Sequence, residues 1–474
     1  MRLASELDSV GRRLEANLWR LMAAHFLNLP QEKTREIQSQ LRELIMRKTG
    51  VPSAQERLCG LDRELFPLPE LEISVVPEAR ESASLKQQGG VKSPSTPVVP
   101  SFVNAAEVLG MNHAFHVAQV PNDYGFAVYQ SIGGAAVLDY DRDGMADLYF
   151  AQGGCDPPQY RGTESNQLFR NLGENLDDVT AMANEEDFRY SIGVTVGDWN
   201  QDGFGDLVIG NLGANTLLIN NGDGTFAKSR FDDRDDTDAM TTSIAMADLT
   251  GNSIPDLFEV NYLDDEGLPR RPRIGAGGEI LESMNPMDFA AGLDRVFVQN
   301  EDGSVTIKNV GPPPEAARAG LGVVVGRFVQ DAGNQVFVPN DLYANQLWNY
   351  RSEDQQWLNQ AMLRGCAHGF NGGSTASMGV ADGDLNGNGM LDLHVTNFQN
   401  ESVSLFVNQQ GFFQDRNVQF ALSRPSTSVL GFGTQTLDYD NNGTLDLVVA
   451  NGHIEKAIDL NAPFLQPAQL FRNA

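Results

Sequence analysis

The sequence predicts an all-β fold: a β-propeller of six to seven four-stranded blades, preceded by a small N-terminal helical hairpin. Three observations carry this. A loop of the form D-x-[DN]-x-[DN]-G-x-x-D-L recurs between short apolar runs. A second short apolar run ending in Asn follows each loop. The first loop positions, Asp139, Asp198, Asp248, Arg327, Asp384 and Asp438, fall 50 to 79 residues apart, a spacing suited to one blade each.

The elements follow in chain order. In residues 1–50, Leu3, Leu7, Val10, Leu14, Leu18 and Leu21 step by three and four and mark one helical face. Pro30 breaks it, and Ile37, Leu41, Leu44 and Ile45 form a second stripe. Residues 51–100 are rich in Pro, Ser and Gly and read as a flexible linker. Residues 101–474 hold the repeats, with 101–118 available as a strand for ring closure.

In each repeat a strand enters and leaves the loop, as Ala135 to Leu138 and Leu148 to Phe150 do in the first. The echoes Asn166 to Asn171, Thr216 to Asn220, Arg295 to Asn300, Asn345 to Asn349, Ser404 to Asn408 and Gln469 to Asn473 read as third strands. Asn221-Gly-Asp-Gly224-Thr supplies a turn toward a fourth.

The loops have the chemistry of a calcium site. Positions 1, 3, 5 and 9 offer oxygen side chains, position 7 a backbone carbonyl, and glycine at position 6 permits the turn. The candidate ligands are Asp139, Asp141, Asp143, Met145 and Asp147; Asp198, Asn200, Asp202, Phe204 and Asp206; and Asp248, Thr250, Asn252, Ile254 and Asp256. Two further sets are Asp384, Asn386, Asn388, Met390 and Asp392, and Asp438, Asp440, Asn442, Thr444 and Asp446. Up to five Ca2+ ions are expected.

Carboxylates about 5 Å apart repel by roughly 3 kcal/mol per pair at an effective dielectric of about 20, which disfavours an empty, ionised site. Charge count ranks the Asp139 loop strongest. It ranks the Asp248 loop weakest, because Ser253 also replaces the turn glycine. The sixth loop (Arg327, Val329, Asp331, Ala332, Gln335) has lost the pattern, and no metal is expected there. An EF-hand is excluded, because position 12 is Phe150, Ile209, Val395 or Val449, inside a strand.

Composition bounds the function. A net charge of −29 argues against nucleic acid as a partner. Cys59, Cys155 and Cys366 give no disulfide framework. No apolar run is long enough to span a membrane, and Met1 to Glu6 lack the shape of a secretory signal. The six histidines, His25, His113, His116, His368, His394 and His453, form no recognisable catalytic set.

The modules resemble the FG-GAP (VCBS-type) repeats of the integrin α-subunit propeller. Gly134 to Gly144, the Asn-Gln-Leu-Phe-Arg-Asn echo and Val449-Ala-Asn451-Gly452-His453-Ile454 are similar to the cartilage acidic protein/UnbV (ASPIC) group. The resemblance implies a propeller usually of seven blades, calcium in hairpin loops on one rim, and an extracellular or cell-surface location. It further implies a non-enzymatic binding or adhesion scaffold with a protein or carbohydrate ligand on a propeller face. A polysaccharide-active enzyme on the same calcium-stabilised fold is the alternative.

Overall fold

The computed structural model describes residue 4, residues 13–26, 33–40 and 100, and residues 102–473 apart from 118–131, 155–160, 185, 230, 233–238, 269, 278–280, 282–284, 313–314, 331–332 and 455–462. The linker expected over 51–100 lies almost wholly outside them. Helix α1 spans Arg13–Phe26, and residues 33–40 are also helical. The Gln38 side chain donates to the Asn200 carbonyl at 2.9 Å, which sets this segment against the second loop.

Each repeat becomes one antiparallel sheet with its strands in chain order. Blade 1 is β1 (Ala135–Leu138), β2 (Asp147–Phe150), β3 (Gln167–Asn171) and β4 (Leu176–Asp178). Blade 2 is β5 (Ser191–Gly197), β6 (Asp206–Asn211), β7 (Thr216–Asn220) and β8 (Phe226–Ser229). Blade 3 is β9 (Ala239–Ala247), β10 (Asp256–Asp264), β11 (Arg295–Gln299) and β12 (Val305–Asn309). Blade 4, with the decayed loop, is β13 (Val324–Gly326), β14 (Gln335–Val338), β15 (Gln346–Arg351) and β16 (Gln356–Asn359). Blade 5 is β17 (Ser377–Gly383), β18 (Asp392–Asn397), β19 (Ser404–Gln409) and β20 (Phe412–Asp415). Blade 6 has three strands among the described residues: β21 (Gly431–Leu437), β22 (Asp446–Asn451) and β23 (Gln469–Phe471). The six first strands surround a central channel lined by Gly134, Gly193, Ser243, Gly322, Gly379 and Gly433.

Neighbouring blades share an apolar wedge, because alternate residues of each middle strand face opposite neighbours. Leu138 and Tyr149 meet Leu207 and Ile209. Val208 meets Leu257 and Phe297, Phe258 meets Val336 and Trp348, Phe337 meets Leu393 and Phe406, and Leu405 meets Leu447. Each such side chain contributes roughly 1.5–3 kcal/mol on burial. The second strands of blades 2, 4 and 5 are buried at every residue, and that of blade 3 at all but its last.

Two regular devices reinforce the joints. Near the channel, the glycines of blades 1, 2, 4 and 5 (Gly134, Gly193, Gly322 and Gly379) each pack on a carbonyl of the next blade, while blade 3 carries Ser243 there. A methyl group at Gly134 would lie 2.1 Å from Ile192 O, and at Gly379 2.0 Å from Phe432 O. On the loop rim, an amide of each blade donates to a loop carbonyl of the blade before it. The bonds are Asn220 to Tyr140, Gln299 to Trp199, Asn334 to Asp248, Asn408 to Phe328 and Asn473 to Leu385, at 2.8–3.1 Å.

Between blade 6 and blade 1 neither device is made among the described residues. A methyl group at Gly433 would meet nothing within 4 Å. The Asn171 amide donates to Ala146 of its own blade. Val137 on β1 is 62% exposed and Leu437 on β21 is 37% exposed, and alternate residues of β2 and β22 are only partly covered. Among the described residues the six blades therefore form an array with five made joints and one open one. Residues 102–117, expected to offer a closing strand, contain none. They lie along blade 1, where Leu109 O accepts from Leu176 N and His113 stacks on Phe150.

His394, in β18, is buried in the joint between blades 5 and 6. Its Nδ1 lies 2.9 Å from Thr434 Oγ1, and burial lowers its pKa from 6.5 to about 4. The neutral ring is favoured in the fold, so its stabilisation is complete above pH 6.5 and lost as pH falls toward 4. The loss is roughly 3 kcal/mol. Urea unfolding at pH 7 and pH 4 is expected to show this loss in the wild type and a shallower one in His394→Leu. Equal slopes in the two proteins would refute it.

Candidate metal centre

All five patterned loops share one hydrogen-bond scheme, which explains why those residue types occupy those positions. The position 1 carboxylate accepts from the position 6 amide: Gly144, Gly203, Ser253, Gly389 and Gly443 donate at 2.7–3.0 Å. The position 5 side chain accepts from the position 7 amide of Met145, Phe204, Ile254, Met390 or Thr444. This folds the loop into a ring of oxygens. It demands a left-handed residue at position 6, where Gly144 has φ 88° and Ser253 adopts φ 64° against its own preference.

Position 9 bolts the loop to the blade. Asp147, Asp206, Asp256, Asp392 and Asp446 are fully buried. Each accepts the amide of position 2 with one oxygen. With the other it accepts the amide of Asn171, Asn220, Gln299, Asn408 or Asn473 at the end of the third strand. In the decayed loop Gln335 takes this place and its Oε1 accepts from Val329 N, so a neutral amide replaces the buried carboxylate. Burial pushes Asp206 up to about 8 and Asp256 and Asp392 to about 6, and raises Asp147. Asp198 rises to about 6 through burial and the nearby Asp202. These groups resist ionisation without a compensating cation.

The loops differ in what converges. In the first, Asp139, Asp141 and Asp147 each bring a carboxylate oxygen within 4.8 Å of the others. Asp143 instead meets Arg170 at 3.1 Å. In the last, Asp438, Asp440 and Asp446 converge in the same way, while Asn442 accepts from Thr444 N. Asp440 Oδ1 is buried there with no hydrogen-bond partner. In the second loop Asp202 is engaged by Asn200 Nδ2 at 2.8 Å, and Asp198, Asp202 and Asp206 do not gather as closely. The Asp248 and Asp384 loops carry two carboxylates each, with Thr250 and Asn252 or Asn386 and Asn388 between them. Glu259 stands at position 12 of the third loop. It points into the joint and pairs with Arg295 at 2.9 Å, alongside Asp232, so it is not a loop ligand.

Hard oxygens in flexible rings, one of them orphaned, fit a calcium-sized cation. The loops at Asp139 and Asp438 would hold it with positions 1, 3 and 9, and their three convergent carboxylates fit best.

A family model described as FG-GAP-like repeat matches residues 198–258 and 384–449, each from a position 1 aspartate through the loop of the next repeat and into the strand after it. The chain carries FG-GAP-like repeats on a six-bladed β-propeller. The narrower likeness to the cartilage acidic protein group rests on the quoted sequence strings alone. No curated protein matches this FG-GAP propeller. Among solved structures, a lectin of Agrocybe aegerita that recognises non-reducing terminal N-acetylglucosamine is similar at 15% identity and TM-score 0.39. That match covers 72% of this chain and 81% of the lectin. Chains from lead-soaked and mercury-soaked crystals of BBS1N in complex with ARL6DN are similar at 10% and 12% identity, with TM-scores 0.38 and 0.37. They cover 70% and 68% of this chain and 81% and 78% of theirs.

Among the described residues the cysteine and histidine side chains join no group of three metal-ligating residues. Cys366 is a free buried thiol, pushed up to about 12 by burial. His368 lies 3.4 Å from Ser374, His113 bonds Gln167, and His453 packs edge-on to Phe398. The backbone amide of His116 donates to Gln152. Cys59, Cys155 and the side chain of His25 lie outside the described residues. No helix among the described residues is long and apolar enough to cross a membrane.

Proposed function

We propose that this FG-GAP propeller binds calcium in up to five rim loops and serves as a non-enzymatic binding or adhesion scaffold outside the cell or at its surface. The observation that carries the metal reading is the last loop. Three carboxylates converge there, and Asp440 Oδ1 is buried without a partner. A buried carboxylate oxygen left unpaired is costly, and a cation is the partner its surroundings fit. The architecture supports the scaffold role: an array of blades presents loops from every repeat on one face, where a protein or carbohydrate ligand could dock. The acidic balance of −29 supports a partner other than nucleic acid.

Equilibrium dialysis with atomic emission tests the metal reading. The chain is expected to retain several calcium ions and to lose the last-loop ion in Asp440→Asn. No retention at millimolar calcium would overturn it. Hydrolysis or lyase activity on a polysaccharide panel, abolished by a substitution outside the loops, would overturn the non-enzymatic role.

A further inference from the structure

The two loops with three convergent carboxylates share one more feature. In blade 1, Arg170 Nη2 lies 2.6 Å from Asp141 and 3.1 Å from Asp143. In blade 6, Arg472 Nε lies 2.6 Å from Asp440 Oδ2. Both arginines occupy the same place, one residue before the third-strand asparagine whose amide bonds position 9. In blades 2, 3 and 5 that place holds Ile219, Val298 and Val407. The residue at loop position 3 changes in step: Asp141 and Asp440 face the arginines, whereas Asn200, Thr250 and Asn386 accompany the apolar residues.

We infer that Arg170 and Arg472 are tethered counter-cations that offset the position 3 carboxylate, weakening ion binding at the first and last loops while holding them in shape without metal. The aspartate–arginine pair then has the net charge of the asparagine used elsewhere. Counting carboxylates alone therefore overrates the Asp139 loop. The geometry leaves a place for the ion: in blade 6 the arginine takes Asp440 Oδ2, and Oδ1 stays free. Both arginines are partly exposed, at 37% and 42% of the side chain, so water screens them. In water-like surroundings a unit charge about 6 Å from a divalent ion changes affinity by roughly tenfold.

This inference rests on the calcium reading, and the test separates the two. Calcium chloride is titrated calorimetrically into the full chain, wild type against Arg170→Leu and Arg472→Leu. Each variant is also melted with chelator and with calcium. Binding about tenfold tighter in each variant, a lower melting temperature in chelator and a near-restored one in calcium are expected. Arg170→Lys, which keeps the charge, should return most of the affinity toward the wild-type value, and the gap between variants should shrink at high salt. Unchanged or weaker binding in the leucine variants, with wild type binding normally, overturns the inference alone. No calcium binding by any of the proteins overturns the calcium reading and the inference with it. The calcium melt shows that each variant folds.

Discussion

Gly379→Ala is expected to cost about 3 kcal/mol or more, and Gly433→Ala to stay within about 0.5 kcal/mol of wild type. The two glycines hold the same place in neighbouring repeats, five residues before the first loop position, and their sequence surroundings give no reason for a difference. The structure gives one. At Gly379 the new methyl group would sit 2.0 Å from the Phe432 carbonyl oxygen, in the joint between blades 5 and 6. A backbone carbonyl inside a strand cannot swing aside as a side chain can, so the blades would have to part and the wedge at Leu405 and Leu447 would loosen. At Gly433 the methyl group would meet nothing within 4 Å. There the substitution leaves contacts untouched and trims the freedom of the unfolded chain. Denaturant melts of the two variants measure the contrast. An equal, large loss at both positions would show that blade 6 meets blade 1 in solution, and the open joint would be wrong.

Chelation is the second large effect. With dissociation constants near 10⁻⁴ M and calcium near 1 mM, each occupied loop contributes roughly 1.4 kcal/mol. Five occupied loops would raise the melting temperature by on the order of 10 °C. The direction is set by the fold, because position 9 ties each loop to its third strand and so to the blade. Asp147 and Asp446 do this through Asn171 and Asn473. Asp206, pushed up to about 8 by burial, favours its neutral form in the metal-free fold. Its folded pKa lies above the unfolded value of 3.8, so metal-free stability falls as pH rises from about 4 toward 8. A bound cation favours the ionised form and reverses that trend. Scanning calorimetry with chelator and with calcium, at pH 5 and pH 8, is expected to show the largest calcium shift at pH 8. An identical melt across all four conditions would remove the calcium reading.

Much of this was legible in the sequence, for a specific reason. A loop that folds oxygens around a point needs particular residues at fixed spacing, and Asp139 to Leu148 spells that spacing out. The decayed loop was equally legible, with Gln335 in place of the buried aspartate. The role of the third-strand asparagines was not. They appeared as a boundary marker, whereas Asn220, Asn408 and Asn473 clamp each blade to the loop before it. Their recurrence at one place in the echoes of blades 1, 2, 5 and 6, with Gln299 there in blade 3, was the available signal. The ranking by carboxylate count missed Arg170 and Arg472, because a third-strand side chain reaches the loop only once the hairpins stack.

The sequence by itself determined the blade, the loop and the candidate ligand types, because each is a pattern written within a single repeat. Only the tertiary structure decided which loops gather three carboxylates, which set an arginine against them, and that, among the described residues, five joints are made and the sixth is open. The first two depend on how a loop packs against the third strand of its own blade, and the last on how separate repeats meet, which the residues of one repeat do not record. Gly379 and Gly433 read alike in the chain, and differ only because one has a neighbour.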